Sequence, residues 1–270
     1  MSIRLVILDV EGVITLPGGG QFPWPLEDLL AVRQFLAGSP AACVLCTGRQ
    51  QPYGEAVIQA LNLFRPLTPE VRKRVRERSG EDLLAWPSVL ENGAYFYDPL
   101  AKRPIPHPAL TPERTQVLSR MRSEVLVPLA AKTGAVVEAG KDYCVSVNPP
   151  PLRPGSSERQ STAEFAPVVE AALAGYLDQI EVKYSVSAVD ITPRGISKAS
   201  AVRLLLDWTG LAPAEVLGVG DTRADEAWLR EVGRRAAPAN GREALPGLDY
   251  YAPEPVAAGL LDILQRFAAA

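Results

Sequence analysis

The sequence predicts a two-domain α/β protein: a Rossmann-like parallel sheet with helices on both faces, interrupted by an inserted α+β segment. Three observations carry this reading. Apolar runs at Ile3 to Leu8, Ala41 to Cys46, Ser88 to Leu90 and Val216 to Val219 are short and unbroken, as strands buried on both faces are. Helical patterns lie between them, such as Leu26, Leu29, Leu30, Val32, Phe35 and Leu36 ahead of Gly38. Strand alternating with helix argues for a parallel sheet. Thirdly, the texture changes between about Tyr97 and Thr192, where prolines at 99, 104, 106, 108 and 112 open a stretch centred on Pro149-Pro150-Pro151-Leu152-Arg153-Pro154-Gly155.

The core is therefore expected over 1–97 and 193–270, with the insertion over 98–192 and hinges near Tyr97 to Pro99 and Thr192 to Gly195. A chain of 270 residues accommodates both parts at roughly 150 residues per domain. Inside the insertion, Tyr143 to Val147 and Ser185 to Ile191 alternate as half-buried strands do, and Glu113 to Leu129 and Ser161 to Leu177 carry helical patterns.

Composition narrows the function classes. With 47% hydrophobic and 22% charged residues the chain reads as globular and soluble. Its formal charge of −3 is too balanced for a nucleic-acid-coating protein or a polybasic membrane binder. The basic run Val71 to Arg78 is hemmed by Glu70, Glu81 and Asp82 and lacks interleaved aromatic residues, so it reads as a solvated helix face. No apolar run approaches the roughly 20 residues of a bilayer span, and no signal peptide is visible. Three cysteines make no disulfide framework, and the expected compartment is the cytoplasm. Cys43 and Cys46 form a Cys-x-x-Cys, but three residues apart on a strand they face opposite sides and read as buried.

In a parallel sheet ligands gather beyond the carboxyl ends of the strands, and there the polar residues stand. The first strand runs into Asp9-Val10-Glu11-Gly12-Val13, the second into Thr47-Gly48-Arg49, and Val216 to Gly220 into Asp221-Thr222-Arg223-Ala224-Asp225. Lys198 opens a further helical pattern, where backbone N–H groups and the helix dipole favour anions. Asp9, Asp221 and Asp225 can gather a hard divalent cation, and Thr47, Lys198 and backbone N–H groups can hold phosphate oxygens. With magnesium relieving the repulsion between carboxylate and phosphate, a carboxylate can serve as nucleophile.

These residues resemble, in order, the four motifs of the haloacid dehalogenase superfamily of phosphatases: Asp9-x-Glu11-Gly12-Val13, Thr47-Gly48-Arg49, Lys198, and Gly220-Asp221-x-x-x-Asp225. Glu91-Asn92-Gly93-Ala94, the insertion after it and Gly195-Ile196-Ser197-Lys198 resemble the branch with a large cap of the C2 type, which includes the Cof-like and sucrose-phosphate phosphatases. The resemblance implies that Asp9 attacks phosphorus and that Glu11 acts as acid and base while its backbone carbonyl helps hold Mg2+. It implies that Asp221 binds the metal directly and Asp225 binds it through water or orients its other ligands. Thr47, Gly48 and Lys198 would contact the phosphate.

The expected function is hydrolysis of a small phosphorylated metabolite, a sugar phosphate above all, through an aspartyl-phosphate. A mutase-like phosphoryl transfer and a non-catalytic phospho-ligand-binding protein are the alternatives. No nucleic-acid or membrane partner is expected, and no oligomer signal is read. Three departures from the family pattern stand out: Glu11 where Asp is usual, Val13 for the common Thr, and Ala224 for the Asn of Cof-like proteins. Arg49 is open to pairing with a neighbouring carboxylate. Gly18-Gly19-Gly20 with Phe22 and Trp24 reads either as a plain loop or as a flap. His107 is expected to be solvated, and Lys141, Tyr143, Asn148 and Arg153 are the insertion's candidates for substrate contact.

Overall fold

The computed structural model describes residues 2–17 and 23–269. In chain order the elements are β1 (Leu5–Leu8), α1 (Leu26–Gly38), β2 (Ala42–Leu45), α2 (Gln51–Leu61), α3 (Pro69–Ser79), β3 (Ser88–Leu90), β4 (Tyr95–Asp98), β5 (Arg103–Pro106), α4 (Pro112–Met121) and α5 (Val127–Thr133). They continue as β6 (Val136–Val137), β7 (Val145–Asn148), α6 (Thr162–Ala172), β8 (Ile180–Tyr184), β9 (Val189–Pro193), α7 (Lys198–Thr209), β10 (Val216–Val219), α8 (Glu226–Leu229), β11 (Arg234–Ala237), β12 (Tyr250–Tyr251) and α9 (Val256–Phe267). The glycines at 18–20 and Phe22, read above as loop or flap, lie outside the described residues; Trp24 stacks edge-on against Tyr53 at 5.8 Å.

The chain forms two compact units, Met1–Ile105 with Lys198–Ala270, and Pro106–Ser197. The first holds a five-stranded parallel sheet in the order β12-β11-β10-β1-β2. The apolar runs explain its centre: all four residues of β1, β2 and β10 are buried. Along β1 successive side chains face opposite sides. Leu5 and Ile7 join a core with Val44, Val202, Leu205, Trp208 and Trp228, where Phe96 and Trp208 stack at 4.5 Å. Helix α7 packs against α3 and α8, and α1 packs against α2 and α9. Both strand faces are thus covered, as a parallel sheet requires.

The fourth apolar run, β3, joins this sheet by a parallel bridge between Cys46 and Val89, a bond from Thr47 N to Val89 O at 3.0 Å and one from Leu45 N to Ser88 Oγ at 3.1 Å. Its main partner is β4, antiparallel, in a sheet ordered β3-β4-β5. This sheet keeps β4 and most of β5 with the first unit, so the chain leaves it at 105/106 against the expected 97/98; the return lies at 197/198 against the expected 192/193. Asp98 folds the turn back. Its Oδ1 accepts from Leu100 N and Ala101 N, both at 3.0 Å, and its Oδ2 from Leu84 N at 2.6 Å. Pro104 and Pro106 then sit on an edge strand, the place a sheet tolerates a missing donor.

The second unit has an antiparallel sheet ordered β6-β7-β9-β8. The run Ser185 to Ile191 is not one strand. Ser185 to Ala188 form the turn of the β8–β9 hairpin, where Ser185 N donates to Ala188 O at 2.9 Å and Ala188 N donates to Ser185 Oγ at 3.3 Å. The short serine side chain competes with the ladder for backbone partners. The helical pattern Glu113 to Leu129 is realised as α4 and α5 joined by a π-helical turn, Arg122–Leu126. Pro128 lacks the N–H of an α-helical ladder, which accounts for the wider turn before it. His107 is buried, not solvated; its Nδ1 accepts from Ala109 N at 3.1 Å, and burial together with Arg114 holds its pKa low.

The basic run is indeed a paired helix face. Both Arg72 and Arg76 bind Asp82, at 2.9 and 2.7 Å, and Arg78 binds Asp207 at 3.1 Å. Cys43, Cys46 and Cys144 are buried free thiols, and burial pushes Cys43 up to about 12. Among the described residues no helix is long and apolar enough to cross a membrane.

Leu205 of α7 is fully buried in the core against the sheet. Leu205→Ala is expected to lower stability by about 2–5 kcal/mol through lost burial and a residual cavity, read as a lower urea midpoint with an unchanged slope.

Candidate active site

The carboxyl ends of β1 and β10 lie side by side, with Leu8 in register with Val219 and Asp9 N donating to Val219 O at 2.9 Å. The residues that follow, Asp9 and Asp221, are therefore neighbours for a topological reason. Lys198, the first residue of α7, places its ammonium 3.1 Å from Asp9 Oδ1 and 2.8 Å from Asp225 Oδ1. Asp9, Asp221 and Asp225 form the one group of possible metal ligands found among the described residues, each offering a carboxylate oxygen within 4.8 Å of the others.

The three carboxylates are differently committed. Both oxygens of Asp225 are spent: Oδ1 accepts from Lys198 and from Trp228 Nε1 at 2.9 Å, and Oδ2 from Asp221 N, Thr222 N and Thr222 Oγ1, each at 3.2 Å. Burial would raise the Asp225 pKa, but the Lys198 charge and these donors outweigh it and hold it low. Asp221 Oδ2 accepts from Asn240 Nδ2 at 3.2 Å, whereas Oδ1 is buried without a hydrogen-bond partner. Burial and the nearby Asp225 push Asp221 up to about 7. Asp9 is raised well above the usual carboxylate range by the same two causes, against the pull of Lys198. Lys198 keeps its proton, because its two carboxylates more than offset its burial.

This set fits a hard divalent cation. Three buried carboxylates face one ammonium, an excess of negative charge, and the bare oxygen of Asp221 is an oxygen donor of the kind such ions take. Asp225, already saturated, suits the part of orienting Lys198 and the Asp221 backbone.

Thr47 and Gly48 stand at the end of β2. Thr47 is buried, and its Oγ1 accepts from Arg49 N at 3.2 Å. The loop is clamped by the turn after β3: Asn92 N donates to Thr47 O and Glu91 N to Arg49 O, both at 3.1 Å. Glu91 and Asn92 hold left-handed backbones, φ 46° and 57°, a conformation sparse for residues other than glycine and retained where surroundings over-determine it. At Gly48 a Cβ would lie 2.8 Å from Asn92 Oδ1, so a larger residue there would have to displace the Asn92 side chain.

Glu11 is not in the carboxylate group. Its side chain is held in a fork by Arg49, Nε to Oε2 at 2.8 Å and Nη2 to Oε1 at 2.5 Å, and Arg49 also lies over the Tyr53 ring at 5.2 Å. Motif reading left this pairing open, and it missed Trp228 and Asn240. Trp228 follows Asp225 by three residues, one helical turn, which is the only local signal either carries.

In the second unit the candidates divide. Lys141 is buried, 2.9 Å from Glu138, 2.5 Å from Ser146 Oγ and 3.7 Å from Asp190, and Asn148 reaches Glu138 at 3.1 Å. Tyr143 is half-buried, and Arg153 is exposed in a turn away from that network.

A family model of haloacid dehalogenase-like hydrolases matches residues 160–247, the part of the chain that holds Lys198, Asp221 and Asp225. A phosphoglycolate phosphatase of Methanobrevibacter smithii is 30% identical over 102 residues, 37% of this chain and 44% of that protein. The match thus spans less than half the length of that curated relative. Likeness of fold extends over the whole chain. A protein of Thermoplasma acidophilum superposes with TM-score 0.68 at 18% identity, covering 99% of each chain. The sucrose-phosphatase of Synechocystis, solved with sucrose and phosphate, gives 0.63 at 15% identity, covering 99% of this chain and 98% of that one. The resemblance to haloacid dehalogenase-like hydrolases is borne out, and with it the α/β fold of parallel core and inserted α+β segment.

A cation bound at Asp221 would compete there with a proton. Its pKa of about 7 predicts that the apparent affinity for Mg2+ falls as pH drops from 8 to 6, by about tenfold per unit below 7 for each proton released. Calorimetric titration in two buffers of different ionisation enthalpy measures both quantities; an affinity flat across this range contradicts the assignment.

Proposed function

We propose that a chain with this fold and these motifs is a divalent-cation-dependent phosphomonoester hydrolase acting through an aspartyl-phosphate on a small phosphorylated metabolite. The observation that carries the reading is the buried carboxylate group around Lys198 at the ends of β1 and β10, with two carboxylates paired with that lysine and the third left with a bare oxygen. The phosphatase names of relatives and of structurally similar proteins support the same class, and a sugar phosphate is the preferred substrate.

Asp9 is the nucleophile in this scheme. Its carboxylate oxygen bonds to phosphorus as the bond from phosphorus to the leaving oxygen breaks, and that oxygen takes a proton from Glu11. Water then attacks phosphorus, gives its proton to Glu11, and regenerates Asp9 with release of phosphate. Glu11 is tied to Arg49, so each proton transfer requires Glu11 to exchange one guanidinium contact for the reacting oxygen. Lys198 neutralises Asp9 and the equatorial oxygens of the transferred group, and Thr47 with the Gly48 backbone donates to those oxygens. Asp9, Asp221 and the Glu11 carbonyl would hold magnesium, with Asp225 orienting the set, and the ion would supply neutralising charge for the nucleophile and the phosphate.

The Glu11–Arg49 fork also favours a second reading, a protein that binds phosphorylated ligands without turning them over. One experiment separates the two. Incubated with an aryl phosphate, the enzyme releases phosphate only with Mg2+, and Asp9→Asn abolishes the release; tight binding of phosphate esters with no release in either form establishes the second reading instead.

Removing one fixed charge of this kind costs about 3 kcal/mol of barrier, so Lys198→Ala is expected to lower kcat by about two orders of magnitude. Steady-state kinetics on the same aryl phosphate checks this, and a kcat within threefold of the parent excludes Lys198 from the chemistry.

A further inference from the structure

Asp221 is enclosed by Gly12 of the first motif and by Asn240 and Gly241, which no motif selects. On one side stands Gly12, φ 75°, where a Cβ would fall 1.8 Å from Asp221 Oδ2; on the other stands Gly241, where a Cβ would fall 2.9 Å from Asp221 Cα. These missing side chains let Asn240 reach between the loop after β1 and the loop after β10. Asn240 Nδ2 donates to Gly12 O at 2.9 Å and to Asp221 Oδ2 at 3.2 Å, while its Oδ1 accepts from Val256 N at 3.0 Å.

The orientation of this amide is determined by its partners. Only the NH2 end can serve two acceptors, and only the oxygen can serve an N–H. The turn that carries it is anchored to the start of α9, where Ala239 N donates to Glu254 O at 3.0 Å. Val256, whose N–H Asn240 caps, is a β-branched residue held at φ 50°, a costly conformation that such anchoring maintains.

The consequence falls on Asp221, whose two oxygens become unequal. Oδ2 is spent on Asn240, and Oδ1 is left buried and bare. Were the carboxylate to rotate, it would lose the Asn240 bond, so the bare oxygen is held in one direction. The same amide ties Asp221 to Gly12, three residues after the nucleophile, and keeps the two loops in one register.

We infer that Asn240 is a positioning residue for the cation site: it anchors Asp221 Oδ2 and the Gly12 carbonyl so that Oδ1 is presented for metal binding beside Asp9. The inference rests on the cation-dependent reading proposed above and adds a residue to it. Outer partners of this kind typically change metal affinity by about 10–100-fold when removed.

The test is calorimetric titration of Mg2+ alone into the full chain and into Asn240→Ala and Asn240→Leu, the latter keeping the side-chain volume so that a folded protein remains for measurement. Both variants are expected to bind Mg2+ about 10–100-fold more weakly. In an Asp221→Asn background, where the acceptor is already altered, Asn240→Ala is expected to change the remaining affinity by less than about twofold, because its effect runs through Asp221. Unchanged Mg2+ affinity in the folded variants, with only a lower melting temperature, overturns the inference and makes Asn240 a stability residue. Equal weakening in the Asp221→Asn background overturns it as well. If the unaltered chain binds no Mg2+, the cation-dependent reading itself fails, an outcome distinguishable from the others because it appears before any substitution is made.

Discussion

A single buried ammonium organises this protein's candidate site. Lys198 sits between Asp9 and Asp225, and each of the three arrives on a different element: Asp9 on the loop after β1, Asp225 on the turn after β10, Lys198 at the head of α7. A charge removed from water is tolerated only when paired and hydrogen-bonded. The position of α7 against the sheet is therefore coupled to the pairing of β1 with β10, and packing of Val202, Leu205 and Trp208 beneath it holds the lysine in place.

The carboxylates around that lysine share its compensation unequally. Asp225 takes the shorter contact and four further donors, which holds it ionised and makes it structural in character. Asp9 and Asp221 receive less and are pushed upward by burial and by Asp225. The site thus stores uncompensated acidity in the two residues that would face a cation and a phosphate. The second unit makes a different use of the same elements. Lys141 is buried among Glu138, Ser146 and Asp190, but no oxygen there is left bare, and the network reads as closed.

Glu11 stands where the family resemblance leads one to expect Asp, and geometry makes that difference concrete. The extra methylene relative to Asp carries its carboxylate to the guanidinium of Arg49, and Tyr53 supports that guanidinium from another side. Two residues beyond the nucleophile, a group expected to move protons is instead held by a strong bidentate partner. Its availability depends on how readily Arg49 releases it.

The sequence by itself determined the fold class and pointed to most of the candidate site. Asp9, Thr47, Asp221 and Asp225 were legible because each follows an unbroken apolar run, and such runs announce both a buried strand and the end at which a parallel sheet presents polar groups. Lys198 was legible because it opens a helical pattern. Local signals failed where the partner is distant along the chain. β11 begins with two arginines and β12 has two residues, so neither shows an apolar run, and the Ser185 turn hides inside a strand-like alternation. Only the tertiary structure decided that Glu11 meets Arg49, that Trp228 serves Asp225, and that Asn240 joins Gly12 to Asp221 across 228 positions of sequence. The reason is physical. Periodicity records which face of an element is buried, whereas a hydrogen bond between side chains depends on distances of a few tenths of an ångström that exist only after the strands have paired and the helices have packed.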